Sequence, residues 1–304
     1  MKYIKELNIK SFRGIKELEL LDLGEVNILV GKNNSGKTSI LEAIGILEKP
    51  KELGNIIRIG RKREILNNQS SPYSIFKNML NNLSKSMHIM ADIKGQKLDI
   101  NVTGKTVSVI TEKAYSQEIE GFQGEISGTY GEEIIFKEIN INQMDQVFLV
   151  DKKDKIISME YITPVDHLLQ NTPNDVIKKG SKKELIQLLS IFDKDINGLE
   201  MIEENKITVP YVEHKKLGLM PLSTYGDGLK KVLLLGASII KAERGILLID
   251  EVETAIHIDA LVDVFKWFVK ACEKYKVQVF MTTHSIEVID SILESKKIWI
   301  MKNF

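Results

Sequence analysis

Residues 31–38 read GKNNSGKT, and no other stretch restricts the fold as tightly. A G-x-x-x-x-G-K-[S/T] run works only where a strand ends in a curled glycine loop that opens a helix. The flanks supply both: the apolar run 26–30 predicts a strand and 37–47 predicts a helix. Gly31 and Gly36 let successive amide N–H groups face one anion, and the helix N-terminus adds its dipole. In that setting Lys37 reaches the β- and γ-phosphates of a nucleotide, and the Thr38 hydroxyl is placed for Mg²⁺. The expected nucleotide-binding stretch is Gly31, Lys32, Asn33, Asn34, Ser35, Gly36, Lys37, Thr38 and Ser39.

Two further elements end apolar strands with polar chemistry. ILLIDE at 246–251 buries four apolar residues and brings Asp250 out at the strand's carboxyl end, where a metal-binding carboxylate belongs. Glu251 follows directly, placed to polarise an attacking water. TTHS at 282–285 follows the next predicted strand and puts His284 at the same sheet edge. Between loop and acids, residues 221–231 (PLSTYGDGLKK) place a Ser/Gly-rich turn at the start of a helix, a second anion-binding device. Facing its own loop, that turn is redundant. It gains a use if it caps the nucleotide of a second subunit, so that two nucleotides lie between two copies.

The remaining chain fits an α/β architecture. Residues 3–9 and 15–21 predict an antiparallel hairpin turning at Arg13 and Gly14, and Ser71-Pro72 reads as an N-cap followed by Pro at the first helical position. From 87 to 161 alternating apolar and polar residues, with glycine turns at Gly95, Gly104, Gly124, Gly128 and Gly131, predict a β-rich insertion. Helical character is expected near Thr172-Pro173, and Ser181 with Glu184 forms a capping-box sequence. A hairpin over 199–212 precedes the last third, where a helix (229–242), a strand (246–249), a helix (260–275) and a strand (277–281) alternate and argue a partly parallel sheet.

With 42 Lys+Arg against 42 Asp+Glu the chain is formally neutral, which argues against coating nucleic acid over the whole surface. One cysteine among 304 residues makes no internal disulfide. No signal-peptide h-region opens the sequence, and no run approaches the ~18 apolar residues of a membrane span. A cytoplasmic protein with no membrane partner is expected.

The order GKNNSGKT, LSTYGDG, LLIDE, TTHS resembles the ABC-type ATPase heads of the SMC, RecF and OLD-like group. The opening NIKSFRGIKELEL is similar to that group's N-terminal hairpin, with Phe12-Arg13 in place of its Phe-Arg pair. More narrowly, YGDGLKKVLLL, IDEVETAIH and TTHSIEVI resemble the OLD-like ATPases of bacterial anti-phage defence. The resemblance covers 1–48 and 221–290 well, and the middle only in layout. It implies a P-loop NTPase of ABC/SMC-head type, a mixed β-sheet flanked by helices with an antiparallel β-rich insertion. One head would span 1–304, with an N-terminal lobe at 1–50, the insertion at 85–165, a short helical arm at 170–198 and a C-terminal lobe at 221–304.

The resemblance also implies roles. Glu251, His284 and Lys37 would be catalytic, Thr38 and Asp250 would bind Mg²⁺, and Arg13 would touch the phosphates or ribose of ATP. The turn departs from LSGGQ, so either Ser223 supplies the capping hydroxyl or the backbone of Gly226 and Gly228 does the capping. Residues 253–257 replace a typical D-loop, with His257 either at a dimer contact or simply exposed. Gln69 is a weak Q-loop candidate, read more readily as a surface residue. GTP in place of ATP stays open, since no N-K-x-D motif is in a suitable place.

Two basic runs, Arg58/Arg61/Lys62/Arg63 and Lys178/Lys179/Lys182/Lys183, read first as solvated helix faces and second as contacts for nucleic acid or a partner protein. The sequence ends at residue 304, soon after His284, and 296–304 looks like a strand cut short, which keeps a fragment of a longer protein open. Unless the chain is such a fragment, no Toprim nuclease of the kind OLD-type enzymes carry after this point is expected. The expected function is an ATP hydrolase that dimerises on ATP and controls a separate effector, a nuclease or toxin, in anti-phage defence. The alternatives are a RecF/SMC-like DNA repair or chromosome-maintenance ATPase and, less favoured, a transporter ATPase subunit.

Overall fold

A computed structural model describes residues 1–64, 70–111, 117–146, 155–168, 176–177, 181–204, 206–285, 288–290 and 298–302. Its strands in chain order are β1 (Ile4–Phe12), β2 (Ile15–Leu20), β3 (Val26–Val30), β4 (Met87–Ile93), β5 (Gln96–Thr111), β6 (Gln117–Tyr130), β7 (Glu133–Asn142), β8 (Met159–Ile162), β9 (Ile196–Glu204), β10 (Ile207–His214), β11 (Gly218–Pro221), β12 (Ile246–Ile249), β13 (Gln278–Thr283) and β14 (Ile298–Lys302). The helices are α1 (Lys37–Ile46), α2 (Leu53–Gly60), α3 (Pro72–Met79), α4 (Lys182–Phe192), α5 (Asp227–Lys241) and α6 (Ile258–Tyr275). Two units emerge from the contacts: residues 24–33 with 159–303, and residues 2–23 with 34–158.

The first unit carries a five-stranded sheet in the order β14-β3-β13-β12-β8, parallel at every pairing. β12 and β13 are buried at every position, as strands covered on both faces are. Val232, Leu235 and Ile239 of α5 and Leu261, Val264, Phe265 and Phe268 of α6 pack with Leu247, Ile249, Val279 and Met281 in one core. Cys272, 3% exposed, belongs to that core. The buried Asn27 side chain in β3 bonds the amide and carbonyl of Gly24 and the carbonyl of Val279, so the polar group inside the sheet is satisfied. A second cluster, including Leu185, Leu189, Leu199, Val212 and Leu233, joins α4 and α5 to the antiparallel sheet β11-β10-β9.

The second unit is built on an antiparallel sheet, β2-β1-β4-β5-β6-β7, with α1, α2 and α3. The predicted hairpin is β1–β2, turning at Arg13 and Gly14. Ser71 caps α3, its hydroxyl accepting from the Ser74 amide at 3.2 Å with Pro72 opening the helix. Phe76 of α3 meets Phe122 of β6 edge to face at 5.1 Å.

Several expectations change. The β-rich stretch does not form a sheet of its own, because β4 pairs with β1 and extends the N-terminal hairpin. Its last strand, β8, leaves for the parallel sheet beside β12, a role hidden by the polar Glu160 in a short apolar run. Gly95 and Gly131 do make turns, at φ 80° and 57°. Gly104 and Gly124 instead oppose one another within β5–β6, where a Cβ on either would fall 2.4 or 2.1 Å from backbone oxygen. Gly128 likewise lies inside β6.

The helix in the stretch read as a short helical arm packs on α5 and α6 through Leu185, Leu188 and Leu189. Ser181 makes no side-chain cap; Glu184 pairs with Lys274 at 2.6 Å, and that bond lowers its pKa. Gln69, Thr172-Pro173, Lys178 and Lys179 lie outside the described residues. Among the described residues no helix is long and apolar enough to cross a membrane.

Candidate functional site

The glycine loop begins where β3 leaves the parallel sheet. Gly31, Lys32 and Asn33 belong to the first unit, and Asn34, Ser35, Gly36, Lys37, Thr38 and Ser39 to the second. Asn34 at φ 62° and Gly36 at φ 90° curl the chain into α1. Gly36 is required by that dihedral, since the nearest atom to an added Cβ, on Ile15, is 3.7 Å away. The Gly36 carbonyl takes the first helical bond from Ile40 at 3.0 Å. No acidic residue stands in the first turn of α1, so no carboxylate of that turn offsets the positive helix end. Lys37 is 5% exposed, with its Nζ 3.5 Å from Ser35 Oγ.

One turn further along α1, Glu42 is fully buried between two arginines. Arg13 approaches it through Nε at 2.7 Å and Nη2 at 3.0 Å, and Arg63 through Nε at 2.7 Å and Nη2 at 2.8 Å. Arg63 also donates to Ser39 Oγ at 3.0 Å. A forked guanidinium from Arg63 and an ion pair with Arg13 on one carboxylate fix α1 to the β1–β2 turn and to the segment after α2. The guanidinium of Arg13, which the resemblance directs at phosphate or ribose, is thus engaged inside its own unit. In the basic run, Arg58 pairs with Glu48 at 2.7 Å and Arg63 with Glu42, so these two charges are neutralised internally.

At the carboxyl ends of the parallel strands the acidic elements come together within the first unit. Asp250, 8% exposed, accepts from Thr282 Oγ1 at 2.6 Å, while the same hydroxyl accepts from the Glu251 amide at 2.8 Å. One threonine on β13 therefore orients both consecutive acids. Glu251 holds φ 47°, a left-handed conformation costly for a residue with a Cβ and of the kind kept at functional positions. His284 Nε2 lies 3.9 Å from Glu251 Oε1, and the His284 amide donates to Glu253 Oε1 at 2.7 Å. The expected acids and histidine share one edge.

The structure adds residues that the sequence reading passed over. Because β8 runs parallel beside β12, with the Asp250 amide bonded to the Ile162 carbonyl at 2.9 Å, the residues after β8 border the acids. Thr163, Asp166 and His167 are buried there. The available signal was the short apolar run MEYI followed by T-P-x-D, which matches the strand-then-polar pattern of ILLIDE.

Lys231 of α5 is 0% exposed, and its ammonium has no hydrogen-bond partner. Burial drives its pKa down to about 8, against the charges of Asp166, Glu253, Asp250 and Glu251, which hold it up. A depression of that size corresponds to about 3 kcal/mol of unfavourable burial. His167 is held below its ordinary pKa by burial first and by the Lys231 charge second.

The Ser/Gly-rich turn stands at the start of α5. Ser223 is exposed in a 3₁₀ turn, Gly226 is the N-cap, and a Cβ on Gly228 would meet the Ala255 carbonyl at 2.9 Å. The first turn of α5 therefore lies directly on the loop that follows the acids. A hollow of about 300 Å³ opens there, lined by Phe192, Tyr225, Gly226, Gly228, Ala255 and His257 among others.

Among the described residues one trio, Asp193, Asp195 and His214, brings possible metal-binding atoms within 4.8 Å of one another. Its hydrogen bonds account for it otherwise. His214 Nδ1 accepts from the Lys216 and Leu217 amides, leaving Nε2–H to face Asp193 at 3.2 Å, and Lys216 pairs with Asp195 at 2.5 Å. Neither ring nitrogen offers a lone pair, so the trio is a turn clasp.

Compared with known proteins, residues 1–184 match the AAA ATPase domain family. Residues 110–290 match the family described as AAA domain, putative AbiEii toxin, Type IV TA system. The chain is similar to an ATP/GTP phosphatase of Helicobacter pylori, 24% identical over 335 aligned residues covering 96% of this chain and 89% of that protein. It is 28% identical to the DNA replication and repair protein RecF of Shewanella piezotolerans over 130 residues, covering 39% of this chain and 35% of RecF. Among solved structures it is similar to an SMC head bound to the C-winged helix domain of ScpA, with a TM-score of 0.55 at 12% identity, covering 99% and 95% of the two chains. A likeness at that identity concerns the fold, an α/β P-loop NTPase of SMC type.

Proposed function

The chain belongs to the AAA ATPase domain family and is an ATP hydrolase, and from that premise we propose that it works as a nucleotide-dependent dimerising switch. The observation that carries the reading is the pair of consecutive acids Asp250 and Glu251, both oriented by Thr282, with His284 beside Glu251.

In this reading the amides of residues 31–38 and the Lys37 ammonium hold the phosphates. Thr38 and Asp250 offer a hydroxyl and a carboxylate, hard oxygen donors of the kind Mg²⁺ takes, and would hold it. When bound, the ion neutralises phosphate charge. Glu251 accepts a proton from the attacking water, and His284 orients Glu251 and the water. Ser223, Gly226 and Gly228 cap the nucleotide of a second copy, so an ATP-bound homodimer is the active form. Closure would expose or hide a surface for a separate effector, a nuclease or toxin in anti-phage defence, a reading supported by the AbiEii-type description of the matched family.

The RecF match favours a second reading, a DNA repair or chromosome-maintenance ATPase. It predicts turnover that DNA stimulates with a steep salt dependence; the defence reading predicts no such stimulation.

Phosphate release from wild type, Glu251→Gln and Lys37→Ala tests the site. Glu251→Gln should lose about 100-fold or more in kcat while still binding ATP and accumulating as a dimer. Turnover near the wild-type rate removes the role given to Glu251. Lys37→Ala should lose nucleotide binding by calorimetry, and retained binding removes the loop assignment.

A further inference from the structure

Adjacent lysines on α5 meet opposite fates. Lys230 stays at the surface and pairs with Asp227 at 3.0 Å, one turn away on the same helix. Lys231 is enclosed, and its ammonium makes no hydrogen bond although the carboxylates of Asp166, Asp250, Glu251 and Glu253 all act on it. Three more buried polar atoms around the same strand ends also lack partners: Thr163 Oγ1, His167 Nδ1 and Glu253 Oε2. A buried ion pair kept for stability has its hydrogen bonds made, because its desolvation is otherwise uncompensated. Here each of the four carboxylates accepts a hydrogen bond from another group, and the ammonium among them makes none.

Three of the four carboxylates, Asp250, Glu251 and Glu253, lie within four consecutive residues, and like charges so close repel one another. A cation among them offsets that repulsion. The cation rides on the helix whose first turn carries Gly226 and Gly228 and touches Ala255. Lys231 is thus the group that links the turn at the start of α5 to the acids at the end of β12.

We propose that Lys231 is a positioning residue for hydrolysis: its buried ammonium holds the neighbouring carboxylates in place and ties their arrangement to the first turn of α5. The proposal rests on the ATPase reading above, and among the four carboxylates it singles out Glu253, whose Oε2 also lacks a partner.

Lys231→Met keeps the length of the side chain and removes its charge. Steady-state ATP turnover, thermal melting and calorimetric binding of a non-hydrolysable ATP analogue are measured side by side. The expected result is a melting temperature at or above wild type, analogue binding within threefold, KM unchanged within threefold, and kcat down at least tenfold. A merely structural lysine gives a different pattern, a lower melting temperature with binding and turnover falling together, and that pattern overturns the proposal. So does a kcat within twofold of wild type.

Should Lys231→Met fail to fold, Glu253→Gln is read in its place, with the same kcat loss expected and unchanged kcat overturning. Lys230→Met, at the surface, keeps wild-type kcat if position and not local charge matters; an equal loss there overturns the assignment to Lys231. If wild type releases no phosphate, the ATPase reading falls and this proposal with it. Wild-type turnover with unaffected variants removes the role of Lys231 alone.

Discussion

Helix α1 buries an anion and helix α5 buries a cation, and their surroundings differ. Glu42 receives the fork of Arg63 and a bond from Arg13 Nη2, so every oxygen of the carboxylate is matched by a charged donor. Lys231 sits among four carboxylates and bonds to none. The first arrangement is complete and holds a helix in one place. The second carries an electrostatic cost without its compensating bonds, and it lies beside the acids at the end of β12.

Removing the charges one at a time separates the two cases. The largest expected effect is from Glu42→Ala, which leaves two guanidiniums without their counter-ion and should cost about 3–5 kcal/mol in urea denaturation, toward the lower end because Arg63 is partly in solvent.

Lys231 should show its effect through pH. Its pKa is about 8 in the folded chain against 10.5 for the free side chain, so between these values the unfolded chain binds more protons and stability rises with pH. Below pH 8 the burial cost is fully present. Wild type measured without nucleotide should therefore gain up to roughly 3 kcal/mol, relative to Lys231→Met, as pH is taken from 8 to 10.5. Parallel pH profiles of the two proteins would dissolve the contrast with Glu42.

The smallest stability effect is expected from Gly228→Ala. The new Cβ presses on the Ala255 carbonyl, a strain of about 1 kcal/mol, while alanine returns a similar amount as helix propensity. Net stability should change little, yet kcat should fall severalfold as the first turn of α5 shifts from the acid loop. Unchanged kcat would show that this close approach is packing only.

The two units also differ in how far the amino-acid sequence discloses them. In the parallel sheet, ILLI at 246–249 and the run ending in TTHS are continuous apolar segments between helices, and strand, loop and helix boundaries follow from them directly. The glycine loop was legible for the same reason, its geometry being local. β8 escaped because a four-residue strand takes its identity from a neighbour distant in sequence. Gly104 and Gly124 looked like turns since a glycine signals both a bend and a close approach, and only the β5–β6 register distinguishes them. Lys231 was invisible as a site residue: at the helix surface a lysine pair reads as solvated, and which of the two turns inward depends on where α5 lies over the sheet.

The single cysteine gives the parallel-sheet unit a chemical clock. Cys272 faces the core from α6, and burial holds its thiol well above the ordinary range, so the native chain offers alkylating reagents no reactive sulfur. Labelling then counts only those excursions in which α6 separates from the strands. Mass spectrometry of the modified chain, with and without ATP, would read how firmly nucleotide closes that unit, with no engineered label and no background from a second thiol.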